Sequence, residues 1–202
     1  NRLVNETDPA GNITSYTYDN NGNQKTITYP DNKTTNYTYD NANRVTQTKD
    51  HLNNIRTFGY NVIGNIISET DKLGRETVFG YDKLNRLTSE TNPQGTVTTY
   101  TYDANSNRLT EGVAGKVRTY TYDTLNRVTQ ISHPGNKIEI YTYDSEGNAL
   151  TKTDGNNQTI NYTYDKLNRL TLKELPEGDS VVYTYDNWDN LSSLTDETGI
   201  TS

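Results

Sequence analysis

A tyrosine–aspartate pair recurs along this chain at a spacing that leaves few folds open. Tyr18-Asp19, Tyr39-Asp40, Tyr81-Asp82, Tyr102-Asp103, Tyr122-Asp123, Tyr143-Asp144, Tyr164-Asp165 and Tyr185-Asp186 carry the pair, and Tyr60-Asn61 fills the one slot between them. Successive tyrosines of the motif stand 21 residues apart at every step but one, which is 20. A fixed period of that length marks a repeat architecture, in which each unit buries its surface only against its neighbours. The 202 residues therefore set a number of repeats rather than a number of domains. We expect one array of about nine hairpin units over residues 1–202, excerpted from a longer polypeptide, because the chain does not begin with Met and shows no signal peptide.

Within the unit, a second aromatic stands two residues before each motif tyrosine: Tyr16, Tyr37, Phe58, Phe79, Tyr100, Tyr120, Tyr141, Tyr162 and Tyr183. A spacing of two puts both rings on one face of a β-strand, whereas a helix would splay them apart. The residue between them is Thr in seven repeats and Gly at 59 and 80. A turn follows, as in "NNGN" (20–23) and "TLN" (124–126), with the aspartate as its anchor through carboxylate-to-backbone hydrogen bonds. A second strand comes next, seen in "RVTQT" (44–48) and "RVTQI" (127–131). A second turn closes the unit, with Pro or its substitute and then a residue that must turn left-handed: Gly11, Asn32, Asn53, Gly74, Gly95, Asn136, Asn157 or Gly178. In the short repeat Lys116 occupies that slot, and Gly115 is expected to take the role. The predicted fold is all-β: tandem 21-residue hairpins in a continuous antiparallel sheet, curled or spiralling, with roughly eighteen strands of ~6 residues.

Composition fits one layer better than two. Only 30% of residues are hydrophobic, and mean hydropathy is -0.98. Too few aliphatic side chains exist to fill a sandwich, since globular domains carry roughly 45–50% apolar residues. The low value would suggest disorder were the aromatics not periodic. With no cysteine, a disulfide framework or thiolate metal site is excluded. A net charge of -7 with no Lys/Arg run argues against a nucleic-acid partner. No apolar run approaches the ~18 residues of a helical membrane span.

A second period lies over the first. Five residues after the motif tyrosine come Asn23, Arg44, Asn65, Arg86, Asn107, Arg127, Asn148, Arg169 and Asn190. The residue before alternates too: Gly22, Asn43, Gly64, Asn85, Ser106, Asn126, Gly147, Asn168 and Asp189. A 42-residue pair is the implied unit, produced either by duplication history or by alternate hairpins meeting different neighbours.

"YTYDTLNRVTQISHPGN" and "YTYDKLNRLTLKELPEGD" closely resemble the RHS/YD repeat, Tyr-x-Tyr-Asp-x-x-Gly-Arg-Leu followed by a Pro-x-Gly turn, and the resemblance covers essentially the whole chain. It implies a β-hairpin spiral. In bacterial RHS and toxin-complex proteins such repeats build a hollow shell around a C-terminal toxin domain; in teneurin-like animal proteins a similar barrel serves cell adhesion. The chain departs from the pattern at Asn61 and where Asn replaces Arg, and no region resembles the self-cleaving core that seals an RHS shell. "DPAG" at 8–11 is in register with the other turns and is read as one of them. The expected function is a structural, non-enzymatic scaffold: a shell segment that encloses or presents a toxin domain, secreted or at the bacterial cell surface. Its partners would be the rest of the polypeptide and the enclosed C-terminal domain, and exposed strand edges would allow self-association. The alternative is a carbohydrate- or cell-surface-binding adhesion module that uses the tyrosine ladders.

Chemistry-bearing residues are few. His51 and His133, the only histidines, are read as turn residues, so no histidine-based catalytic set can be assembled. "DNNGN" (19–23) and "DANSN" (103–107) have calcium-loop character but place Gln24 and Arg108 where a calcium loop needs Gly. No cofactor is expected. Gly59 and Gly80 leave the face opposite the rings bare, which predicts that something packs there or that the sheet bends.

Overall fold

The computed structural model describes residues 2–199 and contains only strands and turns among them. Two compact units divide after Thr99. The first holds β1 (Asn5–Thr7), β2 (Ile13–Tyr18), β3 (Gln24–Thr28), β4 (Thr34–Tyr39), β5 (Val45–Lys49), β6 (Ile55–Tyr60), β7 (Ile66–Thr70), β8 (Glu76–Tyr81) and β9 (Leu87–Thr91). The division falls within β10 (Val97–Tyr102). The second unit continues with β11 (Arg108–Val113), β12 (Lys116–Tyr122), β13 (Val128–His133), β14 (Lys137–Tyr143), β15 (Ala149–Thr153), β16 (Thr159–Tyr164), β17 (Leu170–Glu174), β18 (Ser180–Tyr185) and β19 (Leu191–Thr195). Each motif tyrosine is the last residue of an even-numbered strand. The three-residue β1 lies ahead of the first full hairpin, so nineteen strands are described against the eighteen predicted.

In the first unit each strand pairs antiparallel with the next, from β1–β2 to β8–β9, and β9 takes Val97–Thr99 as its next partner. The second unit pairs in the same way from β11–β12 to β18–β19. Strands meet only their sequence neighbours, so each unit is a single layer. Among the described residues the one enclosed hydrophobic side chain is Tyr120, 9% exposed. Stability is therefore spread over seams between adjacent strands instead of being gathered in a core.

The pairing shifts once per hairpin, always beside the motif tyrosine. Thr17 faces Thr26, but Tyr18 faces Gln24, leaving Lys25 as an extra residue. The same β-bulge falls at Tyr39, Tyr60, Tyr81, Tyr122, Tyr143, Tyr164 and Tyr185. A bulge bends its strand and re-aims the side chains around it. The two faces also differ. In β4 the rings of Tyr37 and Tyr39 are half-buried, while Asn36 and Thr38 on the opposite face are exposed. Threonine hydroxyls pair across strands on that face, as in Thr101–Thr110 and Thr142–Thr151, both at 2.7 Å.

Gly59 and Gly80 sit in the same register, beside the same bulge, as the threonines they replace, so the sheet does not bend specially there. The space is filled from across the strand pair. A Cβ on Gly59 would lie 2.6 Å from the Ser68 Oγ, and one on Gly80 would lie 2.4 Å from the Ser89 Oγ.

Candidate functional site

The conserved geometry of each repeat is built at the turn after the motif tyrosine. Asp19 is its first residue: its carbonyl accepts from Gly22 N at 3.1 Å, and its amide donates to the Asn23 carbonyl at 2.9 Å. This is a type I turn closed by a left-handed residue, a common three-residue hairpin loop. The left-handed position holds Gly22, Asn43, Gly64, Asn85, Ser106, Asn126, Gly147, Asn168 and Asp189, with φ between 60° and 100°. The carboxylate locks the loop. Asp19 Oδ1 accepts from Asn21 N at 3.0 Å and from Asn23 N at 2.8 Å, while Oδ2 accepts from Asn23 Nδ2 at 3.0 Å. Asp40, Asp82, Asp103, Asp123, Asp165 and Asp186 bind the backbone amides two and four residues on in the same way, and Asp144 binds the one four residues on. In the Arg repeats the guanidinium takes the Oδ2 bond, at 2.7 Å from Nε for Asp40, Asp82, Asp123 and Asp165.

These bonds favour the charged carboxylate. The Asn23 side chain, helped by backbone amides, holds Asp19 below its usual 3.8. For Asp82, Asp123 and Asp165 the arginine backbone amide leads, followed by the guanidinium.

The same device recurs in the second turns, where the sequence reading missed it. Asp8, Asp50, Asp71, Asn92 and Asp154 accept from the amides two and four residues on. The Arg75 side chain and backbone bring Asp71 down to about 2. The signal was present in the sequence: Asp or Asn followed three residues later by Gly or Asn, in both turns. The left-handed residue of the second turn is Gly11, Asn32, Asn53, Gly74, Gly95, Asn136, Asn157 or Gly178, and the short repeat uses Ala114 with Gly115.

The motif tyrosines tie each hairpin to the one before. Tyr39 Oη donates to the Gln24 carbonyl at 2.8 Å, 15 residues earlier and on the first residue of β3. Tyr60, Tyr81, Tyr143 and Tyr185 reach Val45, Ile66, Val128 and Leu170 in the same way, at 2.7–3.0 Å. Tyr18 reaches Leu3 and Tyr122 reaches Arg108. Tyr102 ends β10 beside Asp103, and Tyr164 ends β16 with burial as the first cause of its raised pKa.

The Asn and Arg residues reach the other way, toward the following hairpin, and the alternation has a physical form. Asn23 Nδ2 donates to Asn43 Oδ1 at 2.7 Å; Asn107 does so to Asn126 at 2.7 Å and Asn148 to Asn168 at 2.9 Å. The acceptor is each time the left-handed asparagine of the next turn. Arg44 instead lays its guanidinium 4.6 Å over the Tyr60 ring and donates from Nη1 to the Asn61 carbonyl at 2.9 Å. Arg127 repeats this with Tyr143 and Asp144 at 4.6 and 2.9 Å. Arg169 stacks 4.6 Å over Tyr185 and bonds Asp189 Oδ1 at 2.6 Å. The left-handed residue beside Arg44 and Arg127 is a glycine, Gly64 or Gly147.

Asn61 breaks the pattern at one atom. Its Oδ1 accepts from Ile63 N at 3.2 Å and Asn65 N at 2.9 Å, which fixes the amide so that its NH2 replaces the second carboxylate oxygen. Asn65 Nδ2 is then buried without a partner. Asn61→Asp restores the acceptor and is expected to stabilise the chain by about 1 kcal/mol. Urea denaturation checks this; an unchanged or lower midpoint sinks it.

The comparisons with known proteins follow this geometry. The RHS Repeat family matches residues 1–34, 18–55, 60–97, 81–114, 143–174 and 168–201, most of the chain. The chain belongs to the RHS Repeat family. The unmatched stretch 115–142 begins inside the 20-residue repeat, which runs from Tyr102 to Tyr122. No curated protein matches the chain. Among solved structures, a crystal structure of TcdB2-TccC3-Cdc42 superposes with a TM-score of 0.61 at 11% identity, over 95% of this chain and 13% of that one. The Photorhabdus luminescens Tc holotoxin pore, with the TccC3-D651A mutation, superposes with a TM-score of 0.60 at 16% identity, over 93% of this chain and 13% of that one. These likenesses share the fold, and the RHS chain spans about an eighth of the length of the proteins it matches.

The irregular RHS repeat holds the densest polar cluster. Tyr120 sits under Arg108, whose guanidinium lies 4.9 Å over the ring and donates to its hydroxyl at 2.9 Å; that hydroxyl donates to Glu111 at 3.2 Å. Arg118 Nε donates to His133 Nδ1 at 3.2 Å, so Nε2 carries the proton toward Glu139 at 2.7 Å. His133 is the last residue of β13 rather than a turn residue, because the loop after it is only three residues long. Glu139 also accepts from Tyr141 at 2.6 Å, and burial first, then this bond, raises the Tyr141 phenol. His133 and Glu139 are thus bonded to each other and to Arg118 and Tyr141. His51 lies in a turn. Among the described residues no three carboxylates or imidazoles gather as a metal site. In the two calcium-like stretches, Asp19 and Asp103 spend both oxygens on N–H donors of their own loop.

Proposed function

We propose that this chain is a non-enzymatic piece of an RHS shell wall that encloses or presents a toxin domain of the same secreted bacterial polypeptide. In this reading residues 1–202 act as one repeat array, with the Tyr-Asp pairs as its structural signature. The observation that supports it best is the commitment of the motif tyrosines and aspartates to the wall itself. Hydroxyls reach the preceding hairpin and carboxylates lock the turn, so the signature residues build seams and leave few free groups for a ligand. The same commitment weakens the adhesion alternative, because a sugar-binding ladder needs tyrosine hydroxyls and ring faces open to solvent.

The test uses the intact polypeptide that carries these repeats. Limited proteolysis should leave the domain downstream of the array undigested, and removal of the array should expose it. Digestion of that domain at equal rates with and without the array overturns enclosure. Retention of the array on glycan-coated surfaces, lost on substituting the exposed ring positions, would favour adhesion instead.

A further inference from the structure

Two hairpin types alternate here, and their junctions differ in kind. A hairpin of the Asn type projects an amide toward the next turn, whose left-handed asparagine accepts it at Asn43, Asn126 and Asn168; Asn85 holds the same position after Asn65, whose Nδ2 is without a partner. A hairpin of the Arg type projects a guanidinium that needs a ring to lie on and room beside the next turn. That turn is left-handed at glycine after Arg2, Arg44 and Arg127. A Cβ at Gly22 would crowd Arg2 Nη2 at 2.6 Å, while those at Gly64 and Gly147 would lie in ordinary contact with Arg44 and Arg127 Nη1, at 3.9 and 4.0 Å. Two positions after an Arg hairpin carry a side chain: Ser106 after Arg86, a small hydroxyl, and Asp189 after Arg169, an anion that pairs with that guanidinium.

A left-handed turn alone does not fix the choice. The asparagines stand at φ 60–64° and the glycines at 93–100°, and both residue types enter the left-handed region readily, so the turn asks for one of the two without fixing which follows which hairpin. The choice between them follows the identity of the previous hairpin. Asn stands at the left-handed position after each Asn-type hairpin, and Gly, Ser or Asp, never Asn, stands there after each Arg-type hairpin.

We infer that the pair of residues formed by the left-handed turn position and its successor is a recognition code between consecutive hairpins. Each seam selects the opposite type as its next neighbour. The open seam of an Asn-type hairpin is thus a docking surface for one kind of partner, a hairpin with Asn at the left-handed position followed by Arg. The seam of an Arg-type hairpin takes one with Gly, Ser or Asp there, followed by Asn. The 42-residue pair is the physical repeat, and its order guards the array against slipping by one hairpin. This conclusion stands on the seams alone, whatever the wall encloses.

The seam between Asn148 and Asn168 tests it in the full chain. Asn148→Arg puts a guanidinium against a turn built for an amide, and Asn168→Gly removes the acceptor while keeping a residue at ease in the left-handed region. Each alone should lower the urea midpoint. Together they recreate the junction seen at Arg127 and Gly147, and the double variant should recover most of the loss. The coupling expected is roughly five-fold or more in the unfolding equilibrium constant. Additive losses overturn the code, as does a single Asn148→Arg variant as stable as the parent. The same cycle at Asn23 and Asn43 gives a second, independent seam in the other unit, and the two should agree in sign.

Discussion

Acidification from about pH 5 to about pH 2 should unfold this sheet from its turns. Asp8, Asp19, Asp40, Asp50, Asp71, Asp82, Asp123, Asp144, Asp154, Asp165 and Asp186 are all held below the ordinary 3.8 by the N–H groups they bind. A carboxyl group whose folded pKa is depressed contributes stability that is complete above its unfolded value and lost as pH falls through the folded one. That window opens near 3.8 and closes near the value of about 2 that Asp71 reaches. Glu139 shifts in the same direction, and Glu197 opposes it. The groups are individually exposed, so salt and solvent soften each one, but they repeat at almost every turn and act on one cooperative array. The urea midpoint should be flat from about pH 7 to about pH 5 and should fall steeply below about pH 4. A midpoint that declines already above pH 5, or that holds to pH 2, removes the carboxylate turns as a main source of stability.

Tyr120→Ala is expected to be the most damaging single substitution. Among the described residues Tyr120 alone is enclosed, at 9% exposure, opposite Ile131 on the neighbouring strand and under the Arg108 guanidinium. Truncating a buried aromatic costs about 3–5 kcal/mol. A single layer can collapse toward the gap from one side, which argues for the lower end, about 3 kcal/mol. Tyr120→Phe keeps the ring and loses only the hydroxyl that links Arg108 and Glu111, so about 1 kcal/mol is expected. Denaturation of the two variants separates ring from hydroxyl. If Ala costs no more than Phe, packing at Tyr120 is not what holds the irregular repeat.

Much of this molecule was legible in the sequence because its periods are those of the backbone. Two aromatics two residues apart announce a strand, and Gly or Asn at a fixed offset announces a left-handed turn residue; the positions from Gly11 to Gly178 are left-handed in the structure. The Asn/Arg alternation was visible too, but its meaning was not. Its cause lies between residues 16 to 20 apart, and only the stacking of hairpins shows that Arg44 meets Tyr60 and Asn61 while Asn148 meets Asn168. The β-bulge escaped for a similar reason, since an extra residue on one strand leaves no mark in a strict 21-residue period. His133 escaped because a single residue gives no periodic signal, and its role depends on Arg118 and Glu139 from the two flanking strands.

The direction of the tyrosine bond bears on the order in which such a wall is made. The hydroxyls of Tyr18, Tyr39, Tyr60, Tyr81, Tyr122, Tyr143 and Tyr185 reach back to a carbonyl 14 or 15 residues earlier. A polypeptide emerging from its N-terminus can thus fasten each hairpin as soon as its motif tyrosine appears, onto a hairpin already finished. Contacts this local carry a small loop-closure penalty. Within each unit growth is then vectorial, like a zip drawn in one direction, with one raw edge exposed at a time rather than many. The forward-reaching Asn and Arg side chains close each seam only when the successor arrives, so every added hairpin both anchors itself and completes the one before.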